Sequence, residues 1–347
     1  MIFDEQVQTT TNDHIIPTVI DTVLNSNVAT LRFLGNPTPW SGEKVKVNVK
    51  ISKSTTQGSF DGFDTFNTNR VNNRKQMEFS PKGFYHNVTL DNMSVSVNNT
   101  PDKILDLIQV EMDSAQQDMA DGLGDIMYGD GTGNGGKDLT GLDAAVDDGT
   151  SVASYGGLSR ATYATLQADV TLALGNLTLT AMATAYDAAA KGSDRPTIIF
   201  TTEGVWGFYE QLLQPTVVAN YDAGGFAKVT RTGEARGGLS GEIGFDALYY
   251  RGVPMVKDEK CTTGFMYFLN EKYIKWHSLP HVDNILKSDG GSVEGVYTMD
   301  EKTPVFSWTG FKKPVNQDAI VGQFIAYGEL INHNPNRSSK IEGITNV

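Results

Sequence analysis

Cysteine occurs once in these 347 residues, at Cys261. A lone cysteine excludes an intrachain disulfide and fits a chain made in a reducing cytoplasm. No run of eighteen apolar residues occurs, so no membrane-spanning helix is expected. The opening Met1-Ile2-Phe3-Asp4-Glu5-Gln6 has no basic or apolar region of the signal-peptide kind, so secretion by that route is not expected. Positive charge is in deficit: 28 Lys and Arg against 41 Asp and Glu leave a formal charge of −13. That balance argues against a body that grips nucleic-acid phosphates. An acidic surface can still face DNA while declining to hold it. No internal repeat and no low-complexity run interrupts the chain.

What is present is ordinary for a folded chain, with 39% hydrophobic and 20% charged residues. The length allows two domains and a sizeable core. The 36 glycines suit a chain with many turns.

The pattern that organises the chain is a helix expected over residues 101–128. Thr100 is placed as its N-cap and Pro101 as its first helical residue. Ile104, Ile108, Met112, Ala115, Met119, Leu123 and Ile126 recur at spacings of three and four, which makes one apolar stripe. The other faces carry Asp102, Asp106, Glu111, Asp113, Asp118, Asp121 and Asp125 against a single Lys103. Such a rod is roughly 40 Å long. Tyr128-Gly129-Asp130-Gly131 ends it.

Before the helix, residues 1–40 read as an extended arm broken by Pro17, Pro37 and Pro39, with a short helix around Pro17–Leu24. Glu43–Lys53 is the clearest strand: Val45, Val47, Val49 and Ile51 alternate with polar residues. A loose stretch, 54–73, interleaves Phe60, Phe63 and Phe66 with Thr, Gly, Asn and Asp. Return strands are expected at Gln76–Phe79, Phe84–Asp91 and Met93–Val97. The whole of 41–98 therefore reads as a long β-hairpin with a wide tip. A two-stranded ribbon is marginal in water unless its apolar face is covered. Its charge is also distinctive, since residues 43–86 hold eight basic and four acidic side chains. A basic ribbon and an acidic rod in one chain suggest a complementary contact between subunits.

After the glycine-rich joint 129–148, helices are expected at Ser159–Leu174 and Leu179–Lys191, a buried strand at Arg195–Phe200, and a helix at Thr202–Leu213 ending before Pro215. Residues 216–242 read as a surface loop. Strands follow at Phe245–Val256 and within Gly264–Leu279, then a polar stretch at 280–304. Ala319–Gly328 is apolar enough to be central in a sheet. The β-then-α order, with helices before it, suggests an α/β or α+β lobe.

Few residues suggest chemistry. Gly131-Thr132-Gly133-Asn134-Gly135-Gly136-Lys137-Asp138 matches a phosphate loop until Asp138 stands where Ser or Thr is needed for magnesium. Asp130 and Asp138 could offer oxygens to calcium, but not with EF-hand spacing. His277, His281 and Asp283 are metal-ligand types within seven residues, yet Pro280 breaks the helix that would converge them. Cys261 has no histidine beside it in sequence. Trp40, Trp206, Trp276 and Trp308 read as packing anchors. No catalytic, cofactor-binding or metal site is assigned.

The order of these parts resembles the major capsid proteins of tailed double-stranded DNA bacteriophages, the Hong Kong 97 (Johnson) fold. Local wording is similar too: Tyr128-Gly129-Asp130-Gly131 leading to Gly141-Leu142-Asp143-Ala144-Ala145-Val146-Asp147-Asp148-Gly149, then Tyr155-Gly156-Gly157-Leu158-Ser159-Arg160. Thr201–Leu213 and Gly252–Asp258 followed by Phe265–Asn270 fit the same pattern. The resemblance implies an N-terminal arm at 1–40 and an extended loop at 41–98. It implies a peripheral domain at 99–155 with 258–347, containing the spine helix 101–128, and an axial domain at 156–257. It further implies a structural protein, not an enzyme, forming hexamers and pentamers of identical subunits that tile an icosahedral shell around double-stranded DNA. That shell would be assembled in the bacterial host cytoplasm and belong to the virion. A separate scaffolding protein, a portal and a decoration protein are the implied partners, with no membrane and no cofactor. The Lys–Asn cross-links of some relatives match no residues here.

Two other classes remain open at this level. One is an encapsulin-like nanocompartment shell on the same fold. The other is a metal-dependent enzyme using His277, His281 and Asp283. A tail or adhesin component fits the long helix and α/β lobe poorly.

Overall fold

A computed structural model describes residues 27–40, 42–98, 107–221, 248–279, 306–308 and 311–345. The expected helix at Pro17–Leu24, the start of the 101–128 helix, and the stretches 222–242 and 280–304 lie outside them. The chain divides into two compact units.

The first unit comprises residues 1–41, 81–140 and 276–329. Its frame is a five-stranded sheet of β1 (Thr38–Pro39), β4 (Lys82–Asp91), β12 (Ile274–Ser278), β13 (Phe306–Trp308) and β14 (Ala319–Asn332). β14 is central, as its apolar sequence predicts, and pairs antiparallel with β4 from Ala319↔Asp91 to Gly328↔Lys82.

The long helix α3 spans Leu107–Met127 in the described residues. Its stripe packs as expected: Ala115 and Met119 meet Val88, Phe324 and Ala326 on the sheet, and Leu123 is buried. Asp113, Asp118 and Asp125 face outward. Gly122 lies against Phe84, where a Cβ would come within 2.9 Å of the ring. The glycine that weakens the helix on propensity thus admits an aromatic ring from β4. α1 (Val28–Leu34) buries Val28, Ala29 and Phe33, so the arm is helical here where an extended chain was expected.

Two expectations for 41–98 need correction. The hairpin proper is only β2 (Val45–Lys50) and β3 (Arg74–Phe79), paired from Val45↔Phe79 to Lys50↔Arg74. β4 pairs with β14 instead, because its alternating Phe84, Val88 and Leu90 are covered by other parts of the sheet and α3. Met93–Val97, expected as a strand, belongs to helix α2 (Asn92–Asn98). Asp91 starts it, its carboxylate accepting from the Ser94 N–H at 3.2 Å and the Ser94 hydroxyl at 3.3 Å.

The second unit comprises residues 42–80, 141–275 and 330–347. Its six-stranded mixed sheet runs in the order β7 (Asp169–Thr171), β15 (Ser339–Ile341), β11 (Met266–Leu269), β8 (Ile198–Thr201), β10 (Val253–Lys257), β9 (Leu248–Tyr250). All four residues of β8 are buried, as befits a central strand covered on both faces. Helix α4 (Leu179–Ala189) contributes Met182, Ala185 and Tyr186, and α5 (Glu203–Tyr221) contributes Val205 and Tyr209, to one core with Ile199, Met255 and Phe268. Thr178 caps α4, accepting from the Ala181 N–H.

No α-helix forms at Ser159–Leu174. β5 (Ser154–Tyr155) and β6 (Leu158–Ser159), a single 3-10 turn at Ala164–Leu166 and β7 occupy the region. Arg160 overrides the helical pattern by turning inward. α5 runs through Pro215 to Tyr221, so proline does not end it.

Candidate assembly surface

The ribbon β2–β3 is anchored at one end. Met77 and Phe79 are buried, and the Phe79 ring meets Tyr155 edge to face with centroids 5.1 Å apart. Gly156 turns beneath them with φ +55°, and a Cβ there would lie 2.6 Å from Met77 Cβ. Its carbonyl accepts from the Glu78 N–H at 3.0 Å. Only glycine permits both the left-handed backbone and the close approach.

Beyond that anchor the ribbon is uncovered. Every residue from 57 to 70 is exposed. Phe63 has its whole side chain in solvent, and Phe60 and Phe66 are largely exposed and meet each other edge to face at 5.0 Å. Glu78 binds Lys44 at 3.2 Å and Lys46 at 3.6 Å, and the Lys44 hydrogen bond foremost holds its carboxyl below the usual range. Lys50, Lys53, Arg70, Arg74 and Lys75 remain exposed along the rest. Contiguous exposed apolar groups of this kind mark interaction sites.

Sequence reasoning missed a buried ion network in the second unit. Arg160 is fully buried; it donates to the carbonyls of Ala144 at 2.5 Å, Val152 at 2.9 Å and Leu166 at 3.1 Å. Asp147 lies 3.5 Å from Arg160 and accepts from the Gly149 and Val152 N–H groups. Lys340, also buried, contacts Asp143 at 2.5 Å, Glu342 at 2.6 Å and Asp147 at 3.7 Å. Burial pulls the Lys340 ammonium down, but its bonds to Asp143 and Glu342 outweigh this and hold it above the usual value. These charges fasten the 143–166 segment to β15. The signal in sequence was Asp143, Asp147 and Arg160 amid apolar neighbours, with no periodicity to show that they point inward.

In the first unit Glu329 is the outstanding titratable group. It accepts from the Thr140 N–H at 2.6 Å, while its Oε2 has no hydrogen-bond partner among the described residues. Burial pushes its carboxyl up to about 7, against the pull of Thr140 and Lys82.

The residues singled out for chemistry are not brought together. The Lys82 ammonium donates to the carbonyls of Gly131 and Asp138, so it occupies the place a cation would need in that loop. Asp130 is taken up by the N–H and hydroxyl of Thr132. His277 is buried in β12, while His281 and Asp283 lie outside the described residues. Cys261 is buried, and burial pushes its thiol well up, the opposite of an activated nucleophile. Trp40 and Trp276 are buried packing anchors, as expected. Among the described residues no group of three His, Cys, Asp or Glu side chains is placed to hold a metal. No described helix is long and apolar enough to cross a membrane.

An uncovered ribbon, a long helix against a sheet built on β14, and a separate mixed-sheet lobe define the α+β Hong Kong 97-type shell fold. Solved structures of that class match the chain end to end. The capsid of cyanophage A-1(L) matches with a TM-score of 0.67 and 16% identity, covering 96% of both chains. The capsid of Myoviridae phage XM1 matches with a TM-score of 0.53 and 8% identity over 99% of both. The SrpI encapsulin of Synechococcus elongatus matches with a TM-score of 0.56 and 12% identity, covering 99% of this chain and 96% of that one. No family model and no curated protein matches the sequence.

Proposed function

We propose that this chain is the major capsid protein of a tailed double-stranded DNA phage, a structural subunit and not an enzyme. Its copies form hexamers and pentamers that close into an icosahedral shell around the genome. The observation that carries this reading is the ribbon: fourteen consecutive exposed residues with three phenylalanines, beyond a root at which Phe79 and Met77 are buried. Such a segment gains cover from a neighbouring molecule. The formal charge of −13 supports it, because an acidic wall does not trap the DNA it encloses.

In this reading residues 1–40 are the N-terminal arm and 42–80 the extended loop, shorter than the 41–98 read from sequence. α3 is the spine helix of a peripheral domain, and the lobe around β8 and α4 is the axial domain. Assembly takes place in the bacterial cytoplasm with a scaffolding protein and a portal. The finished subunit resides in the virion, where a decoration protein can bind.

Expression of the chain, alone and with a scaffold, followed by electron microscopy tests the reading. Closed shells or capsomers are expected; a monodisperse monomer in both cases overturns it. The likeness to the SrpI encapsulin favours one second reading, a nanocompartment shell. Particle contents separate the two: packaged DNA supports the phage head, a loaded protein the compartment.

A further inference from the structure

Lys340 stands on β15 directly opposite Tyr267 of β11 and Val170 of β7. Side chains alternate across a strand, so Lys340 and Glu342 share one face of the sheet while Ser339 and Ile341 share the other. Ile341 joins the core under α4 and α5, and Ser339 donates to the Ala185 carbonyl of α4. Lys340 therefore points away from that core, toward residues 143–147. Its side chain is fully buried there, with Nζ 2.5 Å from Asp143 Oδ1 and 2.6 Å from Glu342 Oε1. The Phe265 ring lies 6.0 Å away, and Tyr267 is buried beside it.

This is the set of groups that an amide condensation needs: an amine, a carboxyl carbon within its reach, and a second carboxylate on the same nitrogen to carry the proton. We propose that Lys340 and Asp143 join in an isopeptide bond within each folded chain, with Glu342 as the proton carrier. The Lys340 ammonium gives one proton to Glu342, which passes it to the Asp143 carboxylate. The neutral amine attacks Asp143 Cγ, and the N–C bond forms. The Cγ–OH bond then breaks, and the departing hydroxide takes a second proton from the nitrogen and leaves as water. One hydrogen stays on the amide, and Glu342 ends as the carboxylate it was. Burial disfavours separate charges at this place, which lowers the cost of reaching the neutral amine and acid. Fixed contact replaces a bimolecular encounter with an effective molarity on the order of 10⁵–10⁸ M. The bond ties β15 to a segment 197 residues earlier and so restricts the unfolded chain. It lies inside one chain and forms whether or not copies assemble.

Mass spectrometry of the purified full-length chain, denatured and then digested, tests this. The intact mass is expected to fall short of the sequence mass by one water, and the digest to hold a branched peptide joining Lys340 to Asp143. Lys340→Arg and Asp143→Ala should each restore the full mass. Glu342→Gln, which keeps both joined residues, should slow accumulation of the branched peptide roughly a hundredfold. A folded parent chain that keeps its full mass after days of incubation overturns the proposal. So does a water lost elsewhere, as a succinimide at Asp148-Gly149 or a bond from Lys340 to Glu342 or Asp147. An unchanged rate in Glu342→Gln overturns the part given to Glu342.

Discussion

The ring of Phe79 meets the ring of Tyr155 edge to face, with centroids 5.1 Å apart, at the point where the ribbon joins its lobe. Phe79 is 6% exposed and Tyr155 2%, and the Tyr155 hydroxyl oxygen accepts from the Asn332 N–H at 2.9 Å. This pair sets the root of the extended loop. Phe79→Ala is expected to cost about 3–5 kcal/mol by lost burial and the cavity left behind. Tyr155→Phe should cost about 1 kcal/mol, for one backbone donor left without its acceptor. Urea unfolding of the two variants checks the order, and equal costs would contradict this account of the root.

The Lys340 cluster gives a sharper case. Removing its ammonium with Lys340→Met leaves Asp143, Glu342 and Asp147 facing one another without their shared cation. Breaking a buried pair from one side costs about 3–5 kcal/mol. A thermal melt should therefore fall well below that of a control such as Lys313→Met, whose partner Asp318 is exposed. Similar melting points for the two variants would show that the buried network adds nothing.

Glu329 makes stability depend on pH. Its carboxyl is raised from 4.5 to about 7, so between those values the folded state holds a proton that the unfolded chain has lost. Stability from this group is complete below about pH 4.5 and declines as pH rises, until it levels off above about pH 7. The total loss is on the order of 3 kcal/mol. Glu329→Gln keeps the shape without the charge and should flatten that segment of the stability–pH curve, with its largest gain near pH 8. Parallel curves for the variant and the parent between pH 5 and 7 would contradict the assignment.

The charge contrast between ribbon and acidic helix predicts a salt effect on assembly. Exposed charges are screened beyond about 8 Å at physiological ionic strength and about 3 Å at 1 M. Light scattering should show assembly slowing as sodium chloride is raised from 50 mM toward 1 M, with Lys50→Glu and Arg74→Glu slowing it further at low salt. A rate that rises with salt, and is indifferent to both reversals, would point to apolar contact alone.

Period-two and period-3.6 patterns made the main supports legible. Val45, Val47 and Val49 showed β2, Ala115, Met119 and Leu123 showed α3, and the apolar run from Ala319 showed a central strand. Residues whose role depends on distant partners were less visible. Met93, Val95 and Val97 looked like a strand until Asp91 capped them as a helix. Ser159–Leu174 carried a helical pattern that the inward Arg160 and its three carbonyl acceptors overrode. β4 read as the return of the ribbon, because sequence does not show that β14, more than two hundred residues later, is its partner. The sheet face shared by Tyr85 and Ile325 was hidden for the same reason. Tyr85 and Ile325 become neighbours only through that pairing.

Sedimentation velocity on the intact chain beside one lacking residues 57–70 tests the central claim most directly. The account predicts capsomers or closed shells from the intact chain, and a folded monomer with unchanged far-ultraviolet circular dichroism of its lobes from the shortened one. An intact chain that stays monomeric at high concentration with its scaffold, or a shortened chain that closes shells as readily as its parent, would contradict it.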